Sequence, residues 1–99
     1  NYAITGAKTG TSTLSVDEHI VIVNPASAVT LNLPAISGLN GTVWKIKNVT
    51  ALTNTITIAP NGSEKIEGVA VDYTMSAPYA AITVFCVQAG GDYDGWWVI

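Results

Sequence analysis

Turn-forming dipeptides recur along this chain and, with a lack of helical periodicity, favour short elements over long helices. Asn24-Pro25, Ser37-Gly38, Asn40-Gly41, Asn61-Gly62, Gly90-Gly91 and Asp94-Gly95 each place a residue that accepts positive φ, or has a fixed φ, at a bend. The strand-like runs are five to nine residues long, and none shows helical 3,4-spacing for more than about one turn. Thr, Val and Ile make up 33 of the 99 residues, and β-branched side chains suit a pleated surface better than a helix. The spacing predicts strands near 11–16, 19–23, 28–33, 42–49, 54–59, 65–71, 80–88 and 95–99. Eight short strands at this spacing predict an all-β fold, an antiparallel β-sandwich or flattened barrel. No linker, charge run or low-complexity stretch interrupts them, so 1–99 reads as one domain. The chain opens at Asn1 without Met or a signal-peptide pattern, which points to a module of a longer protein.

Some strands alternate as a sheet with one wet face should. Val29, Leu31 and Leu33 fall on one side with Thr30 and Asn32 on the other, and Ile56 and Ile58 oppose the threonines around them. Trp44 and Ile46 oppose Lys45 and Lys47, which makes Trp44 a core residue. The segments 30–34 and 55–60 look alike, over too short a span to establish an internal repeat. Other strands do not alternate. The segments 20–23, 80–87 and 96–99 are apolar on both faces. Composition sharpens this point, because the chain is 48% hydrophobic and only 11% charged, against about 25% charged in an ordinary soluble domain. Three two-faced strands and too few charges predict a second buried surface, a subunit interface.

Several functions are excluded or left without support. The net charge is −3 and the chain has four lysines and no arginine, so no phosphate-binding or nucleic-acid surface is expected. The longest apolar run, 80–87, is far short of a membrane helix, and no membrane insertion is expected. The lone Cys86 excludes an internal disulfide and reads as a small core residue. His19 stands beside Asp17 and Glu18, but adjacent strand residues face opposite ways, so they do not converge on a metal. The carboxylate pairs 64/67 and 92/94 lie among turn residues, and no serine sits in a nucleophile elbow, so no enzyme activity, catalytic residue, metal site or cofactor is expected. The segment 92–95 echoes part of a calcium loop without its downstream glutamate, and reads as a hairpin turn. Asn40, Asn48 and Asn61 head glycosylation-type sequons, which are common in Asn- and Thr-rich β-proteins.

The aromatic residues carry more information. Tyr79, Tyr93, Trp96 and Trp97 gather in the last 21 residues, with Asp92 and Asp94 nearby. The strands 80–88 and 95–99 should pair as a hairpin through 89–94. Trp96 and Trp97 then face opposite sides, and one ring lies on an outer or inter-subunit face. An exposed ring beside carboxylates suits a sugar, whose C–H face stacks on π-systems and whose hydroxyls need partners. A ring between subunits is the competing reading. Trp97, Tyr93, Asp92, Asp94 and Tyr79 are the candidate ligand-binding residues.

The ordered set Val29-Thr30-Leu31-Asn32-Leu33-Pro34, Gly41-Thr42-Val43-Trp44-Lys45-Ile46-Lys47-Asn48, the segment from Asn54 to Gly62, Ile66-Glu67-Gly68 and the ending Asp94-Gly95-Trp96-Trp97-Val98-Ile99 resembles the small β-domains of bacteriophage tail fibres and tailspikes. The resemblance covers residues 28–99. Its ending departs from the family pattern, which often has a further residue between Gly and Trp, so a tighter last turn is expected here. The resemblance implies a homotrimer near the distal end of a virion tail fibre or another extracellular fibre tip. It also implies attachment to a host cell-surface receptor, commonly a glycan. The alternatives are a structural trimerisation or capping module without its own ligand, and a monomeric carbohydrate-binding module.

Overall fold

Alternation decides the inner face of nearly every strand. The computed structural model describes residues 3–99; Asn1 and Tyr2 lie outside the described residues. The strands are β1 (Ser12–Thr13), β2 (Ile20–Val23), β3 (Val29–Asn32), β4 (Val43–Asn48), β5 (Ile56–Ala59), β6 (Tyr73–Met75), β7 (Ala81–Val87) and β8 (Gly95–Val98). Among the described residues there is no helix. The strands form two four-stranded sheets, a first of order β1-β3-β5-β6 and a second of order β2-β4-β7-β8. Val29, Leu31, Ile56 and Ile58 of the first sheet and Val21, Val23, Trp44, Ile46, Val84 and Trp96 of the second are at most 1% exposed. Trp44 and Trp96 stack at the centre, with ring centroids 5.2 Å apart and planes inclined by 29°. Such a pair contributes about 0.5–1.5 kcal/mol beyond its buried area.

The antiparallel sandwich is corrected to two mixed sheets. β1 with β3, β3 with β5, and β2 with β4 run parallel; only β4 with β7, β5 with β6, and β7 with β8 are antiparallel. The reason lies in the path of the chain. From β1 to β5 each strand is followed by one in the opposite sheet, so strands two apart stack side by side in the same direction. Isolated parallel bridges from Ile4 to Ile20 and from Lys8 to Val23 extend this winding backwards. Asn24-Pro25, Ser37-Gly38 and Asn40-Gly41 therefore mark corners between sheets, where a hairpin reading expects reversals within one. The segments 30–34 and 55–60 that look alike are stacked neighbours, with Thr30 beside Thr57 and Leu31 beside Ile58.

The strand expected over 65–71 is also corrected. Glu67 and Gly68 have φ of 55° and 83°, which break an extended run. What remains there is a tight turn in which Ile66 bridges to Val69 and to Trp96. β6 lies just beyond it, at Tyr73–Met75. The hairpin of β7 and β8 forms as expected, placing Phe85 beside Trp97 and Cys86 beside Trp96. Its entry into β8 is fixed by a close approach to a neighbouring segment. Gly95 has φ of 136°, and a Cβ there would lie 2.8 Å from the Lys65 carbonyl oxygen, which accepts the Trp96 N–H at 2.9 Å. Only glycine fits that approach.

Candidate interaction surfaces

The three two-faced strands are β2, β7 and β8, and all lie in the second sheet. Residues directly opposite one another in a sheet share a face, so register defines rows across it. Val43 lies opposite Phe85, and Phe85 opposite Trp97, forming one apolar row on the outer surface. The neighbouring rows bring Ile20, Lys45 and Thr83 together, then Ile22, Lys47 and Ala81. Phe85, Val87 and Trp97 are half-buried, and Val43 is exposed. On the outer surface of the first sheet the rows read Thr30, Thr57, Thr74 and Thr13, Asn32, Ala59.

The candidate ligand residues divide between two ends of the second sheet. Trp97, Tyr93, Asp92 and Asp94 lie at the β7–β8 turn, whereas Tyr79 precedes β7 at the far end of that strand. Seven residues of strand separate them by roughly 20 Å. Trp96 turns inward and is fully buried, so Trp97 is the outward ring. Its indole N–H donates to the Tyr93 carbonyl at 2.9 Å. Tyr93 is 73% exposed and Asp92 is exposed.

Asp94 closes its own turn. Its carboxylate accepts the backbone N–H of Ala89 at 2.8 Å, of Gly90 at 3.1 Å and of Gly91 at 3.4 Å. The Ala89 N–H, more than the other two, holds this carboxyl below its ordinary value of 3.8. The calcium-loop echo is thus a hairpin clamp. Beside it is an open groove of about 530 Å³, lined by Ile36, Ser63, Glu64, Lys65, Gly91, Asp92 and Asp94. Glu64 is likewise engaged, since both its oxygens accept the Ile36 N–H at 3.2 Å.

His19 lines a second depression, of about 340 Å³, with Val16, Gly41, Thr42, Val43 and Lys45. Glu18 pairs with Lys8 at 3.0 Å. Burial pushes the Glu18 carboxyl up, but the Ser15 N–H and Lys8 together outweigh it and leave the value lowered. Among the described residues no three His, Cys, Asp or Glu side chains are grouped to hold a metal ion. Burial, helped by the charges of Glu64 and Asp94, pushes the Cys86 thiol up to about 11, so it stays protonated and unreactive.

Asn48 is the residue whose importance the sequon pattern conceals. It is 1% exposed and uses all of its hydrogen-bonding capacity. Its amide donates to the carbonyls of Leu52 and Ala77 at 3.2 Å each. Its oxygen accepts the Thr50 N–H at 2.9 Å and the Thr50 hydroxyl at 2.8 Å. A glycosylation acceptor has to be exposed, and Asn48 is a buried joint between two loops. No protein-family model matches the chain, and no curated protein matches it.

Proposed function

We propose that this chain is the distal domain of a viral tail fibre or a similar fibre, assembled as a homotrimer that attaches to a glycan receptor on a host cell. The observation that carries the reading is the row Val43, Phe85, Trp97 on the outer surface of the second sheet. A wet face at these positions would carry polar side chains, as the first sheet does. Aromatic and aliphatic residues with few charges are what the centre of a protein interface contains. The resemblance of residues 28–99 to tail-fibre β-domains supports the fibre, and three linked copies raise a weak single-site affinity.

A second reading, a trimerisation or capping module without a ligand of its own, has one observation in its favour. Asp94 is occupied by its own turn and the Trp97 N–H by Tyr93, which leaves little free polar chemistry beside the outward ring. Both readings require self-association, and a monomeric carbohydrate-binding module does not. Sedimentation equilibrium separates them from it. The expected mass is three times the 10.3 kDa of the chain, falling to one chain for Phe85→Asp. A wild-type monomer at every concentration contradicts the fibre reading.

A further inference from the structure

Two residues other than glycine have positive φ among the described residues, Glu67 and Tyr79, both at 55°. For side chains of this size the left-handed region is strained, and such strain persists only where the surroundings impose it. At Glu67 the fold itself supplies the reason. Its N–H donates to the Trp96 carbonyl at 2.9 Å, and its carboxylate accepts the Val98 N–H at 2.5 Å, so it completes the open edge of β8.

Tyr79 is 57% exposed and lies outside the hydrophobic core cluster. The backbone, by contrast, is firmly held. The Tyr79 N–H donates to the Thr50 carbonyl at 2.9 Å, and the Tyr79 carbonyl accepts the Lys47 ammonium. The next carbonyl, that of Ala80, accepts the Asn48 N–H at 2.9 Å. The saturated Asn48 side chain then ties the 49–54 loop to the 76–80 loop. The result is a strained residue that displays an aromatic ring to solvent from a rigid base, where glycine or asparagine would fit at lower cost. Val49 and Leu52, 41% and 44% exposed, lie on the same pair of loops.

We infer that Tyr79, held by these loops with Lys47 beside it, is the contact for one pyranose ring of a saccharide, at the end of the second sheet opposite the 88–94 turn. The inference rests on the attachment reading above and assigns its site. A tyrosine fixed in place loses little entropy on binding, and its ring covers the C–H face of a sugar. The Lys47 ammonium spends one N–H on the Tyr79 carbonyl and has two more to offer hydroxyl or acidic groups of the sugar.

The test probes an array of neutral and acidic oligosaccharides with the 99-residue chain and with Tyr79→Gly, Tyr79→Phe and Tyr93→Ala. Wild type is expected to bind at least one oligosaccharide. Tyr79→Gly should weaken that binding by about tenfold or more while unfolding at no lower a temperature, because glycine relieves the strain. Tyr79→Phe should stay within about threefold of wild type, a difference of under about 0.7 kcal/mol, and Tyr93→Ala tests the competing placement at the 88–94 turn. Binding that survives Tyr79→Gly but is lost in Tyr93→Ala overturns the placement and leaves the attachment reading standing. A blank array with wild type overturns both.

Discussion

On the outer surface of the first sheet Thr30, Thr57 and Thr74 stand side by side, and at the equivalent place on the second sheet stand Val43, Phe85 and Trp97. Both rows satisfy the backbone equally well, since threonine and valine are β-branched and have nearly the same shape. Strand formation therefore did not select one over the other. The difference lies in what each surface is suited to meet. A hydroxyl row is suited to water, and an apolar row with two aromatic rings is suited to another protein surface. Charge does not separate the two surfaces, because Lys45 and Lys47 of the second sheet are the charges within the strands and the first sheet has none; the apolar row is what separates them.

Substitutions can break this contrast, and the largest effect should come from adjacent tryptophans that face opposite ways. Trp96→Ala removes half of the central stack and should cost about 3–5 kcal/mol in urea-induced unfolding. Trp97→Ala should cost distinctly less in folding but weaken self-association by about tenfold, roughly 1.4 kcal/mol. Equal folding losses for the two would mean that the outer surface is merely more core.

A smaller effect separates the sheets directly. Phe85→Asp should dissociate the assembly, whereas Thr57→Asp, on the first sheet's outer surface, should leave the sedimenting mass unchanged and stability within about 0.5 kcal/mol. An assembly disrupted equally by both would place the contact elsewhere.

The smallest effect concerns the turn that ends β7. Asp94 has a depressed carboxyl value in the folded chain, so its contribution is complete above the unfolded value and is lost as pH falls through the folded one. The Ala89 and Gly90 amides should lose hydrogen-exchange protection below about pH 4, and Asp94→Asn should weaken that pH dependence. Protection that does not change with acid would show that the carboxylate is not what holds the turn.

How much of this could be read in advance depended on whether a feature is local. Burial with a period of two is local, so the inner residues of β3, β4 and β5 are legible, Trp44 against Lys45 and Lys47 among them. Strand partnership is not local. Asn24-Pro25 and Asn40-Gly41 bend the chain alike whether it returns along the same sheet or crosses to the other, so the parallel pairs were not legible. β6 has three residues, too few to show alternation, while the longer apolar stretch before it is broken by Glu67 and Gly68. The candidate site was legible as a set of residue types but not as a place. Trp97 and Tyr93 are four residues apart and share a turn, whereas the length of β7 carries Tyr79 to the other end. Its carbonyl is held by Lys47 and its loop by Asn48, both distant in sequence.

The central requirement is that other copies cover the row Val43, Phe85, Trp97 on the second sheet, and Trp97 reports on that row. Trp44 and Trp96 are fully buried within the chain, so acrylamide quenching of tryptophan emission follows Trp97. Emission should resist quenching while the chains are associated, and become quenchable on dilution and in Phe85→Asp. Quenching of equal strength at all concentrations and in both proteins would contradict the account.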